Sequence, residues 1–183
     1  MTQSQLSSKV RYTHERGFQV TVLGIDPGFA ILGYGIVEAS GPNTRLISYG
    51  VIETKAHNPT PQRLRTIQLA ITDLLSIYKP DEIAFEELFF ARNVTTALMV
   101  GAARGVAVTA ACAYTENLYE YTPMQIKQAI TGYGRADKKQ VQQMVKLLLH
   151  MQETPKPDDA ADAIAVALTH IHTAQQKEQF RMK

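Results

Sequence analysis

The sequence predicts an α/β fold with a mixed five-stranded sheet and helices on both faces. Three observations carry that expectation. Thr21–Ile25 and Ile83–Phe85 are short apolar runs rich in β-branched or aromatic residues, the pattern of strands buried on both sides. Gly33–Ala39 and Leu46–Thr54 are β-rich runs on either side of the turn cluster Ser40-Gly41-Pro42-Asn43. Beyond Pro59, helical spacing alternates with short strands, so the order is βββαβαβα with extra helices at the end.

Residues 1–18 are polar and aperiodic, with Arg11, His14, Glu15 and Arg16, and are expected to form a disordered extension. The folded domain is set at 19–176, with 177–183 as a C-terminal tail. Its first strand ends at Asp26-Pro27-Gly28, where Pro27 removes a ladder donor. Leu64, Ile67, Ala70, Ile71, Leu74, Leu75 and Tyr78 recur at helical spacing between Pro61 and Pro80. The strand at Ile83–Phe85 runs directly into Glu86 and Glu87. Thr96 to Tyr114 is an alanine-rich helix whose Gly101 and Gly105, four apart, thin one face for close packing. Cys112 within it is expected to be a small core residue. Leu118–Tyr121 is the fifth strand. Pro123 opens a helix that Thr131-Gly132-Tyr133-Gly134 breaks, and Asp137 can cap another to about Met151. After Pro157 the last helix runs from Asp158 to about Ala174, apolar along Ala161, Ile164, Ala165 and Leu168.

With 183 residues and a formal charge of +2, the chain reads as one globular domain. No apolar run reaches membrane length, no N-terminal segment has the order of a secretory signal, and a single cysteine forms no internal disulfide. A cytoplasmic protein without a membrane partner is expected. The charge is uneven: Leu88 to His150 holds seven Lys or Arg against three Asp or Glu. A basic middle with acidic flanks suits an anionic polymer approaching a carboxylate site, and equally suits ordinary solvated helix faces.

The chemistry lies in the acids. Asp26 ends one buried strand and Glu86 another, and ends of neighbouring strands share a crevice. Asp159 and Asp162, three apart on the last helix, share a face near its N-terminus. Clustered carboxylates repel unless oxygen-liganded divalent cations lie among them. No HExxH, zinc-type Cys/His spacing or GxSxG elbow competes with that chemistry. Each acid also has a plainer reading. Asp158 is most simply an N-cap, and Asp159 a first-turn acid favoured by the helix dipole. Asp162 lies in an apolar Ala-Ala-Asp-Ala-Ile-Ala stretch, where an unpaired carboxylate is costly. Strand alternation puts Glu86 and Glu87 on opposite faces without saying which is inward.

The ordered motifs LGIDPG, AFEELFFARN, ARGVA, IKQAITGYGRADKKQV and DDAADAIAVALTH closely resemble those of RuvC-type crossover (Holliday) junction endodeoxyribonucleases, from about Val20 to His172. The resemblance implies a ribonuclease-H-like fold and a homodimer. It implies a hydrolase of recombination and repair that cuts two strands of four-way junction DNA symmetrically with Mg²⁺, as two ions per subunit for which Mn²⁺ can substitute. By motif, the metal-binding and catalytic acids are Asp26, Glu86, Asp159 and Asp162, while Lys127 and Lys138 lie near the scissile phosphate. Phe89 is the aromatic that reaches unstacked bases, and one of Phe89 and Phe90 is expected to be buried. Arg92, Arg135 and Lys139 are backbone contacts, the Gly101–Gly105 helix is the dimer element, and branch-migration proteins are partners to test.

Two other readings are weighed against it: a scaffold, which the presence of every expected acid argues against, and an actin-like ATPase, which would need a second lobe that 183 residues leave no room for. A junction-binding scaffold could keep the fold without catalysis, which an assay with and without Mg²⁺ separates. A strand, an Asp and a glycine-rich turn also open the phosphate-binding domains of actin-like ATPases, which a nucleotide-binding assay separates.

Overall fold

The structure, a computed structural model, describes residues 19–88 and 94–183. The expected disorder before residue 19, and the readings of Phe89, Phe90 and Arg92, fall outside the described residues.

Three antiparallel strands open the fold: β1 (Gln19–Asp26), β2 (Ile31–Ser40) and β3 (Asn43–Glu53). They are followed by α1 (Thr60–Tyr78), β4 (Glu82–Glu86), α2 (Val94–Cys112) and β5 (Leu118–Tyr121). Helices α3 (Pro123–Thr131), α4 (Lys138–Leu148) and α5 (Asp158–His172) and a 3₁₀ turn (Ala174–Phe180) complete the chain. The sheet order is β3-β2-β1-β4-β5, with β4 parallel to both β1 and β5. This is the mixed five-stranded sheet expected.

The β2–β3 hairpin is longer than the apolar pattern suggests. Ser40 pairs with Asn43 across Gly41, which adopts φ 57°, a left-handed conformation that costs glycine little. Pairing therefore carries polar residues to the tip, where Glu38 accepts from Gln19 Nε2 at 2.9 Å and Arg45 Nη2 at 3.0 Å. Both α3 and α4 start with reciprocal capping boxes, Thr122 with Gln125 and Asp137 with Gln140. Helix α1 has Pro61 in its first turn, where a missing N–H costs nothing.

Alternation along the strands sorts side chains into two cores. Leu23, Ile25, Ile83 and Phe85 pack with α1 and α2. Val20, Val22, Ala84 and Tyr119 pack with α3, α4 and α5. Helix α5 lies almost on the backbone of β1 and β2. A methyl at Gly24 would stand 2.6 Å from the Ala167 nitrogen, and one at Gly33 2.5 Å from the Asp159 carbonyl carbon. These glycines fix how near the α5 N-terminus comes to the end of β1. A methyl added at Gly101 or Gly105 would meet no described atom of another element within 4 Å, so they do not serve close packing on the sheet. Cys112 is exposed, which corrects its expected place in the core. The α2 phase turns Ala103, Ala107, Ala110 and Ala111 inward and leaves position 112 outside.

The segment read as a tail runs along β5: Tyr119 and Arg181 form a β-bridge, and the Met182 N–H donates to the Leu118 carbonyl at 2.9 Å. A buried polar network ties it to the sheet. Glu82 Oε2 is 2.6 Å from His170 Nε2, and its other oxygen accepts from Lys177. His170 Nδ1 lies 2.7 Å from the Tyr121 hydroxyl, which is 3.1 Å from Thr173 Oγ1. Burial raises the Glu82 pKa, but bonds from His170 and Lys177 outweigh it and hold the carboxyl below its ordinary value. Its stabilising effect is therefore complete above the ordinary Glu pKa and is lost as pH falls through the lower, folded-state value. Glu82→Gln should cost about 3 kcal/mol and flatten the acid limb of the stability curve. Urea unfolding across pH checks both, and a variant equal to wild type at pH 7 would refute the assignment.

Candidate functional site

Asp26 and Glu86 are the last residues of β1 and β4, one step beyond the parallel pair Ile25–Phe85. Alternation puts Asp26 on the side of Val22 and Gly24, and Glu86 on the side of Ala84, so both share the α5 face. Glu87 is exposed, and its N–H donates to the Tyr121 carbonyl at 2.8 Å. The choice between the two glutamates thus falls to Glu86.

Helix α5 brings Asp159 and Asp162 to the same place. Pro157, not Asp158, is its N-cap. Asp158 instead accepts from Gln142 Nε2 at 2.9 Å and lies 3.5 Å from Lys138 Nζ. Lys138 also pairs with Asp162 at 2.8 Å. A cleft of about 220 Å³ is lined by Glu86, Lys127, Lys138 and Asp162. On the other side of the acids, Asp159 lines a groove of about 610 Å³ with Gly28, Phe29, Arg63, Met99 and Val100.

The electrostatics show how closely these acids feel one another. Burial, then the charges of Glu86, Asp162 and Asp159, push the Asp26 pKa up to about 8, opposed by Lys138. Burial and Asp162 push Glu86 up to about 7, against Lys138 and Lys127. Burial also raises Asp162, although its bond to Lys138 pulls the other way. For Lys138, burial favours the neutral form, but its bond to Asp162 outweighs that and raises its pKa.

Asp26 is accordingly a destabilising charge when no cation is present. Between the ordinary Asp pKa and about 8, the folded chain holds a proton that the unfolded chain has released, so stability falls as pH rises through that window. Asp26→Asn should therefore stabilise the chain in EDTA at pH 8 by a few kcal/mol. A melting temperature unchanged or lowered at pH 8 would contradict the crowding.

Oxygen-only donors in a crevice whose burial and like charges raise Asp26, Glu86 and Asp162 fit hard divalent cations. Among the described residues, no three Asp, Glu, His or Cys side chains are gathered into a ready-made cage. Lys138 supplies the compensating charge instead, with Nζ on Asp162.

The remaining residues singled out by sequence lie nearby or outside. Lys139 lines a groove of about 440 Å³ with Tyr133, Asp137 and Gln143, and Arg135 is exposed on the turn before α4. Phe89 and Arg92 lie outside the described residues. Sequence reasoning passed over Arg63 and Thr54, which hold the turn after Asp26. A lone Arg on an amphipathic helix carries little signal, apart from following Pro59 and Pro61 closely.

A mixed sheet in the order 3-2-1-4-5, with acids at the ends of its central strands and on the helix crossing them, defines a ribonuclease-H-like protein with a carboxylate crevice. The family model described as "Crossover junction endodeoxyribonuclease RuvC" matches residues 22–170. The chain belongs to that family. A curated crossover junction endodeoxyribonuclease RuvC from Alkaliphilus metalliredigens is 56% identical over 162 residues, which cover 88% of this chain and 99% of that one. The solved RuvC structure of Thermus thermophilus is 39% identical with a TM-score of 0.79, covering 85% of this chain and 95% of that one. The same protein in complex with Holliday junction substrate gives a TM-score of 0.81 at the same identity and coverage.

Proposed function

We propose that this chain resolves four-way DNA junctions by symmetric, Mg²⁺-dependent phosphodiester hydrolysis in recombination and repair. The observation that supports this is the placement of Asp26 and Glu86 at the ends of β1 and β4 and of Asp159 and Asp162 on α5, where burial, then the charges of Glu86, Asp162 and Asp159, raise Asp26 to about 8. Support comes from the 39% identical Thermus thermophilus protein, solved with Holliday junction substrate.

The four carboxylates would hold two Mg²⁺ ions, or Mn²⁺ in their place. Asp26 would serve both, Glu86 one, and Asp159 and Asp162 the other. When bound, the ions supply Lewis-acid activation of the attacking water and stabilise the departing oxygen. Water oxygen bonds to phosphorus as the P–O3′ bond breaks, leaving a 5′-phosphate and a 3′-hydroxyl that takes up a proton. Lys138, whose Nζ lies 2.8 Å from Asp162, would offset charge building on the phosphoryl oxygens. Lys127, on the same cleft, holds the strand. Arg92, Arg135 and Lys139 extend the basic track along the backbone, and Phe89 reaches the unstacked bases at the junction centre.

The chain acts as a cytoplasmic homodimer through α2, whose Gly101 and Gly105 face open space. Among the described residues, no helix is long and apolar enough to cross a membrane. Incubating mobile and immobile four-way junctions with the chain in Mg²⁺, Mn²⁺ or EDTA tests the reading. Paired symmetric nicks that need the divalent ion are expected, and intact junctions under every condition would overturn it. Sedimentation tests the dimer.

A further inference from the structure

The turn after Asp26 is held by side chains that the acids do not explain. Thr54, at the end of β3, is buried; its hydroxyl donates to the Phe29 carbonyl at 2.6 Å. Its N–H donates to the Ala30 carbonyl at 2.9 Å. Arg63, in the first turns of α1, donates from Nε to the same Thr54 oxygen at 2.8 Å, and Nη2 lies 3.4 Å from the Phe29 carbonyl. The guanidinium carbon stands 3.7 Å over the centre of the Phe29 ring. One residue of a surface turn is thus fixed through its carbonyl and its ring, by groups from two other elements. Exposed turns ordinarily leave such carbonyls to water.

The position makes this consequential. Asp26, Pro27, Gly28 and Phe29 are consecutive, and a methyl at Gly28 would collide with Ile31, so the turn has little room to relax. Phe29 and Arg63 form one wall of the groove that Asp159 also lines. Only Pro27 and Gly28 separate Phe29 from Asp26, so a displacement of Phe29 would carry over to that carboxylate. Misplacement of a reacting constellation by about 1 Å costs up to about 10²-fold in rate.

We propose that Arg63 and Thr54 are positioning residues for hydrolysis: through the Phe29 carbonyl and ring they lock the β1–β2 turn, and with it the Asp26 carboxylate. The inference rests on the junction-cutting reading of the site. Neither residue touches the reacting phosphodiester; each acts through the turn.

Thr54→Val removes the bridging hydroxyl and keeps the side chain's shape, whereas Thr54→Ser keeps the hydroxyl. Thr54→Val and Arg63→Ala should each lower kcat on a four-way junction by about tenfold or more. Junction affinity in EDTA and KM should stay within about twofold, and Thr54→Ser should restore kcat. The double variant should be little worse than either single one, because both act on one turn. Amide hydrogen exchange at Gly28–Ala30 should speed up in Thr54→Val with the flanking strands unchanged.

An unchanged kcat overturns the proposal. So does a loss of affinity in step with kcat, which would make Arg63 a DNA contact. A lower Tm with full activity per folded molecule leaves only a structural role and also overturns it. Should wild type leave junctions intact, the nuclease reading fails separately, and exchange at Gly28–Ala30 alone decides whether the two side chains lock the turn.

Discussion

Asp162→Asn should lower junction cleavage by about 10³-fold or more, while the variant should still shift a four-way junction in a gel run in EDTA. The two halves of this result have separate causes. Asp162 lies on the cleft with Glu86, Lys127 and Lys138, and its charge reaches both Asp26 and Glu86. An amide keeps the shape but can neither share a divalent cation as an anion nor balance Lys138 at 2.8 Å. Cleavage therefore fails at chemistry. Binding rests on basic side chains against the phosphate backbone, and removing one negative charge weakens none of them. The same change relieves Asp26 and Glu86 of a like charge, so both pKa values fall toward their ordinary range and the cation-free chain gains stability. Full activity in Asp162→Asn would remove that residue from the site. Loss of binding together with cleavage would show that the substitution disturbed α5 itself.

The parts of this arrangement legible in the sequence are those where local pattern and burial agree. Thr21 to Ile25 reads as a strand because it is an apolar, β-branched run, and all of it but the half-buried Thr21 is buried. The end of that strand was legible too, since Pro27 cannot continue the ladder. Two acids at the ends of parallel neighbours need only topology to meet, and topology follows from the alternation of strands with helices. The choice of Glu86 over Glu87 needed more, because alternation separates the two without naming the inner one. The packing of Ala84 against α5 supplies that.

What escaped was set by tertiary contact. Asn43 to Arg45 is polar, yet it is strand because pairing with Glu38 to Ser40 satisfies the backbone. Asp158 resembles an N-cap, yet Pro157 occupies that place and Asp158 goes to Lys138 instead. Cys112 sits among alanines, yet one step of helical phase puts it in solvent. Arg63 and Thr54 have no shared pattern at all: they are nine residues apart and meet only over a carbonyl that neither could announce.

Gly24→Val should abolish both cooperative folding and cleavage, although Gly24 carries no chemistry. Gly24 pairs with Gly35 across β1 and β2, under the middle of α5. A Cβ there meets the Ala163 carbonyl oxygen, the Ala167 nitrogen at 2.6 Å and the Ala167 methyl at 2.9 Å. Two of these three are backbone atoms of a helix, so no rotamer change relieves the overlap, and the helix as a whole must lift. Overpacking a core costs about 1–3 kcal/mol where side chains can adjust. Here they cannot, and the second branch of valine meets the same surface, so the cost exceeds that range. Lifting α5 unseats Ala160, Ala163, Ile164 and Ala167, all fully buried, and carries Asp159 and Asp162 away from Asp26. Gly24→Ala separates the two consequences. It should leave a folded chain with a lower Tm and cleavage reduced more than tenfold, because an ångström at the acids matters more to rate than to stability. If Gly24→Ala cuts junctions at the wild-type rate, α5 is free to shift over the sheet and its seating does not set the geometry of the acids.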